Sequence, residues 1–114
     1  MSILTSVKKL LGISEDDTHF DADIIIHINS VFFILNQIGM GKNFSVIDKE
    51  TLWEDYIDAT NLELVKTYTY LKVKMLFDPP TSSAVIESTN RMINEFEWRI
   101  QLVCELKGMC EGEK

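Results

Sequence analysis

Few residues in this chain are of a type and spacing that could do chemistry. Between Ser14 and Asp23 stand Glu15, Asp16, Asp17, Asp21 and Asp23, with Thr18, His19 and Phe20 among them. Such a density of hard oxygen donors is what a calcium ion takes. An EF-hand loop, however, needs glycine at its sixth position and a bidentate glutamate at its twelfth, and neither stands at that spacing. The segment reads instead as a turn that leads into the next helix, with Asp21 as N-cap and His19 as a solvated side chain. Gly39-Met40-Gly41-Lys42 sets glycines ahead of a lysine, but it lacks the four-residue spacing and the following hydroxyl of a phosphate loop.

The remaining candidates fail on geometry. Glu95 and Glu97 project about 200° apart around a helix and cannot form a paired carboxylate site within it. Ser82 and Ser83 stand where helix caps are needed and have no evident base. His27 sits on the polar side of an apolar stripe, as a satisfied or solvated side chain. Cys104 and Cys110, with five residues between them, match no common zinc spacing and read as free thiols. No catalytic residue, metal ligand or cofactor is assigned, and an enzyme is not expected.

The elements that position these residues follow from composition and period. The chain has 114 residues, 46% of them hydrophobic and 25% charged, which fits one globular domain spanning 1–114, its tail from about residue 107 extended or flexible until bound. Net charge is −7, and the Lys and Arg are scattered, which argues against binding nucleic acid through its phosphates. No apolar run approaches the ~20 residues of a membrane span, and no signal-peptide pattern opens the chain, so a cytosolic protein is the default.

In order, Leu4, Val7, Leu10 and Leu11 predict a short amphipathic helix, with Lys8 and Lys9 late in it as the helix dipole favours and Gly12 as its left-handed stop. Ile24, Ile28, Val31, Leu35 and Ile38 give the strongest helical period, widened by Ile25, Phe32 and Ile34. A helix this apolar is central or faces a second partner, and Gly39 ends it. The loop of residues 42–48 carries Phe44 and Val46, which either fold back on the core or await a neighbour. Thr51 to Glu54 reads as a capping box for a short helix around Trp53 and Tyr56, and Ala59 to Asn61 is a weak interruption before a helix over 62–77. In that helix Leu64, Tyr68, Leu71 and Met75 form one apolar row, flanked by Leu62, Val65, Val73 and Leu76, with Lys66, Lys72 and Lys74 on the remaining side.

The pivot is Leu76-Phe77-Asp78-Pro79-Pro80. A proline disfavours the helical conformation in the residue before it, so the helix must end near Phe77. Thr81, Ser82 and Ser83 then offer caps to a last helix, in which Val85, Thr89, Met92, Phe96, Ile100 and Val103 keep a helical period and Gly108 closes it. Glu87, Arg91, Glu95 and Arg99, at four-residue steps, form a ladder of Glu/Arg pairs on an exposed face or against a charged neighbour. Trp53 and Trp98 read first as helix-packing aromatics and second as interface anchors. The fold class is all-α, a small bundle of four to five helices with one long C-terminal helix.

Taken together, Val7-Lys8-Lys9-Leu10-Leu11-Gly12-Ile13, Leu35-Asn36-Gln37-Ile38-Gly39 and Trp53-Glu54-Asp55 carry a family likeness. So do the run from Tyr70 to Pro80 with Ser82-Ser83, and Asn94-Glu95-Phe96-Glu97-Trp98-Arg99-Ile100. Almost the whole chain resembles the head-to-tail connector (adaptor) proteins of long-tailed bacteriophages. The resemblance implies a structural virion protein at the neck, the head-tail junction, assembled in the host cytoplasm. It implies a ring, usually a dodecamer, that docks on the portal protein and meets a downstream neck, stopper or tail protein. DNA would pass through the lumen without specific binding, along a wall where acidic side chains outnumber Lys and Arg. A small helical regulator of a single protein partner is the alternative. For that alternative the Glu/Arg ladder and the Phe44 loop would be the contact surface. The interface candidates are Phe44, Val46, Asp78, Pro79, Pro80, Arg91, Trp98 and Arg99.

Overall fold

The computed structural model describes residues 2–40, 50–57 and 59–111. Helix α1 (Ile3–Leu11) starts where Ser2 Oγ accepts a hydrogen bond from the Thr5 amide at 3.2 Å. It stops at Gly12, whose φ of 83° lies in the left-handed region that glycine adopts without strain. The Gly12 and Ile13 amides then donate to the Lys9 and Lys8 carbonyls at 3.1 and 2.9 Å, satisfying the last turn. Helix α2 (Asp21–Ile38) ends the same way at Gly39, φ 114°, with the Met40 amide on the Leu35 carbonyl at 2.9 Å.

Two features around the acidic turn differ from expectation. Phe20, not Asp21, occupies the N-cap of α2, and no side chain caps it. The Asp21 carboxylate is drawn away to Lys8, whose Nζ lies 2.9 Å from Oδ1. Lys8 is buried at 3% exposure and also donates to the Glu15 carbonyl at 3.1 Å. A buried ammonium needs a counter-charge and acceptors, so this lysine serves less as a dipole partner than as the tie between α1, the turn and α2.

The capping box after residue 50 is displaced by one position. Leu52 is the N-cap of α3 (Trp53–Tyr56), and Asp55 Oδ2 accepts from the Leu52 amide at 3.3 Å. Thr51 is held extended because its carbonyl accepts from the Ile3 amide at 3.0 Å, beside an isolated antiparallel bridge between Ser2 and Leu52. The entries of α1 and α3 are thereby stapled together. A 3-10 turn at Ala59–Asn61 then separates α3 from α4 (Leu62–Phe77).

Helix α4 ends at Asp78 as the two prolines require. Ser82 caps α5 (Ser83–Glu111): its Oγ accepts from the Val85 amide at 3.4 Å and its carbonyl from the Ile86 amide at 3.0 Å. The helix does not close at Gly108 but continues to Glu111; one glycine costs a helix only about 1 kcal/mol.

Helix α4 is the hub, packed against α1, α2 and α5. Its most buried row is Val65, Thr69 and Val73 with Tyr68, while Leu64, Leu71 and Met75 are only partly covered and Leu76 is exposed. The phase of α5 also shifts from the predicted one. Ile93 and Ile100 are buried, flanked by Phe96, Val103 and Cys104, whereas Val85 and Met92 face solvent. The molecule measures 45 × 35 × 20 Å, two helix layers thick, and the 29 residues of α5, about 43 Å long, match its longest dimension.

Candidate protein interface

The corner between α4 and α5 is built to stay in place and to be seen. The Asp78 amide donates to the Lys74 carbonyl at 2.9 Å, and Lys74 Nζ returns to the Asp78 carbonyl and Oδ2, both at 3.4 Å. Phe77 anchors the corner from below, packing edge-on to Phe20 with ring centroids 5.3 Å apart and facing His27 at 6.3 Å. Above that anchor Asp78 and Pro79 are exposed, Pro80 is half-buried, and Leu76 and Val85 present apolar surface on either side.

Farther along, α5 is clamped to α4 through the carboxylate of Glu97. Tyr68 donates to Glu97 Oε2 at 2.7 Å, with Lys72 Nζ 3.9 Å from the same oxygen. Burial first, and then the hydrogen bond and the negative charge of Glu97, push the Tyr68 phenol well above its ordinary pKa. Glu97 reaches α4 from the edge of the seam, and Trp98, about 160° round the helix from buried Ile100, points out at 60% exposure. Packing is therefore not its role in the isolated chain; Trp53 is the tryptophan that packs, 2% exposed, tilted against Phe32 at 6.0 Å and with Lys66 Nζ 5.9 Å over its ring.

The Glu/Arg ladder closes at one rung. Arg99 donates to Glu95 Oε2 through Nε at 3.1 Å and Nη2 at 2.8 Å, and both side chains are more than half exposed. Arg91 has no ion-pair partner among the described residues. The structure thus brings Arg91, Trp98 and Arg99 to one exposed side of α5 and sets Asp78, Pro79 and Pro80 apart from them, before the start of the helix. Phe44 and Val46 lie outside the described residues.

Two exposed side chains were missed by the sequence reading: Ile26 and Phe33, at 60% and 65% exposure on the outward side of α2. Their signal was present in an apolar helix with adjacent Ile24-Ile25-Ile26 and Phe32-Phe33, since a helix has only one side to give to the core. The acidic turn offers no metal site: among the described residues, no group of three His, Cys, Asp or Glu side chains could hold an ion. Within the turn Asp17 Oδ1 accepts from the His19 amide at 3.1 Å and Ser14 Oγ from the Asp16 amide at 3.3 Å, while Glu15, Asp16 and Asp23 are exposed. Among the described residues no helix is long and apolar enough to cross a membrane.

A compact helical core with Phe33, Trp98, Pro79, Arg91 and Arg99 turned outward fits a protein that works by contact. The family model for phage connector proteins matches residues 3–107. The chain belongs to the phage connector protein family. Its match runs from the first residue of α1 to near the end of α5, so the corner and the outer face of α5 both lie within the family's domain. No curated protein matches, and no solved structure does. Phage connector proteins are a structural family.

Proposed function

We propose that this connector is the head-tail adaptor of a tailed phage, a structural virion protein forming a ring below the portal. It joins the DNA-filled head to a downstream stopper or tail protein and lets the duplex pass. The observation that carries this reading is the family match over residues 3–107. The exposed corner and the outer face of α5 supply surfaces for partners on more than one side. The ring is proposed to be a dodecamer, assembled in the host cytoplasm and retained at the neck of the particle.

A lumen that lets DNA slide must not hold its phosphates. With a net charge of −7 per subunit, the ring repels the duplex, and the exposed Glu15, Asp16 and Asp17 are candidates for its wall. The experiment is imaging of purified particles with an antibody to this chain, joined to a gel-shift titration at about 0.15 M salt, where surface charge acts within a Debye length near 8 Å. Label at the neck and no duplex binding are the expected results. Label elsewhere, or none, would favour the small helical regulator, and micromolar duplex binding would point to a ring that grips DNA.

A further inference from the structure

Two helices turn large apolar side chains away from the core, and Asp23 on one answers Arg91 on the other, each unpaired among the described residues, although Glu87 and Glu95 stand beside that arginine and Glu105 farther along α5. On α2, Ile26 and Phe33 are 60% and 65% exposed, one helical face apart by seven residues, with Asn29, Ser30 and Gln37 between and beyond them. Asp23 stands at the N-terminal end of that face, exposed and with no ion-pair partner among the described residues. On α5, Trp98 is 60% and Leu102 39% exposed, and Arg91, two turns before Trp98, is an exposed cation without a partner among the described residues.

The spacings match. Asp23 and Ser30 are seven residues apart, as are Arg91 and Trp98. If α5 of one molecule lies parallel to α2 of another with Arg91 level with Asp23, Trp98 falls level with Ser30, in the gap between Ile26 and Phe33. Leu102 then comes within one residue of Phe33. This is a knob set into the hole left by side chains at i, i+3, i+4 and i+7 of the facing helix.

We propose that neighbouring copies of this chain meet head to tail through these two faces, Trp98 of one seated between Ile26 and Phe33 of the next and Arg91 paired with Asp23. The occupant of each face is a second copy, and the proposal rests on the ring reading above. A face that pairs with itself about a two-fold axis would not serve: the outer side of α2 carries no cation, so Asp23 would stay unpaired. Two different faces on one chain are what a heterologous contact requires, and such contacts form a ring when the rotation between neighbours closes. Tryptophan and arginine are also the residue types that most often dominate an interface.

The test uses the protein in assembled particles. A photo-crosslinking phenylalanine analogue in place of Phe33, which is exposed and leaves the core intact, is expected to give a band at twice the chain mass. Its crosslink should map by mass spectrometry to the segment of residues 91–102. Arg91→Glu sets two carboxylates together and is expected to cut that band about tenfold. Adding Asp23→Arg should restore it to within a factor of about three. Crosslinks to a different virion protein would overturn the assignment of faces and give the α2 surface to that partner, while leaving the connector reading in place. A monomer band only, in particles that contain the chain, would also overturn it. Absence of the chain from particles would instead sink the connector reading itself.

Discussion

Helices α2 and α5 are the two longest in the molecule, and they use their apolar residues differently. Within 18 residues α2 buries Ile24, Ile28, Val31, Phe32 and Leu35, and both its termini are fixed, one by the Lys8–Asp21 pair and the other by Gly39. Over residues 83–106 α5 buries only Ile93 and Ile100, joined to α4 by the Tyr68–Glu97 hydrogen bond. The first helix is held by the interior of its own chain. The second has a narrow seam inside and a broad face outside, so its length exceeds what the bundle needs. The lesson is that the fold and the assembly are carried by different side chains, often adjacent in sequence, such as Glu97 and Trp98 or Phe32 and Phe33.

The largest expected effect breaks the first helix. Phe32 stacks on Tyr56 with centroids 4.0 Å apart and planes at 7°, and Tyr56 Oη lies 3.4 Å from the carbonyls of Phe32 and Met40. Phe32→Ala should cost about 3–5 kcal/mol in urea unfolding. Trp98→Ala, a larger deletion on paper, should cost under about 0.5 kcal/mol yet remove the chain from particles. Equal losses of stability from the two would erase the distinction between the helices.

The seam comes next. Tyr68→Phe removes a hydrogen bond to a carboxylate that is partly exposed and still near Lys72, so a loss of about 1–2 kcal/mol is expected. The same bond gives a pH signature. Folding raises the phenol pKa of Tyr68, and burial does so for Tyr56, so the unfolded chain loses these protons first as pH rises. Their stabilisation is complete below about pH 10, the ordinary phenol value, and is lost progressively above it. Urea midpoints from pH 8 to 12 should therefore fall at the alkaline end, less steeply in Tyr68→Phe.

Which of these features could be read in advance depended on how local their cause is. Gly12, Gly39 and Asp78-Pro79-Pro80 act on their own backbone, and each ended its helix where expected. Phe96, Ile100 and Val103 fell on the seam as expected, but the phase of the first half of α5 was not legible, because Val85-Ile86 and Met92-Ile93 supply two apolar rows one residue apart, each with a helical period. The groove of α4 chooses between them, and periodicity does not contain that groove. Thr69, fully buried on α4, was masked by its polarity, and Lys8 found its counter-charge 13 residues on. The corner and the residues of the α5 face were legible as candidates because paired prolines force a stop on their own backbone, and because tryptophan and arginine are enriched at interfaces. A second partner for α2 was left open by its excess of apolar residues, but Ile26 and Phe33 were not singled out, because they lie off the stripe that the helical period selects.

The corner itself joins the two regions. Replacing Pro79 and Pro80 with alanine lifts the constraint on Asp78 and restores two amide donors, which lets helix advance from Phe77 toward Ser83. Phe77 still holds the end of α4 against Phe20, so the unfolding free energy should change by less than about 1 kcal/mol. The direction in which α5 leaves the bundle is what should change, and with it the yield of infectious particles. Normal yield from the double variant would mean that the corner organises nothing beyond the chain.

The smallest effects lie on the outer face of α5, where two arginines eight residues apart should behave oppositely. Arg99 is bound to Glu95 through two nitrogens, but both side chains are more than half exposed, and such a pair within a helix contributes about 0.3–0.5 kcal/mol. Arg99→Glu exchanges that attraction for a repulsion of similar size, so a destabilisation of up to about 1 kcal/mol is expected. Arg91 makes no ion pair among the described residues, and Arg91→Glu removes nothing from the fold, leaving only a weak repulsion from Glu87 and Glu95 one turn away on either side. Its expected cost to folding is therefore the smaller of the two. Assembly should show the reverse order, because an arginine without an internal partner is the one free to meet a carboxylate on a neighbour. Paired measurements of unfolding midpoint and particle incorporation for the two variants check this ordering. If Arg91→Glu proves the more damaging to the fold and the less damaging to assembly, the outer face of α5 is a solvated surface and the contrast between the two helices fails at its narrowest point.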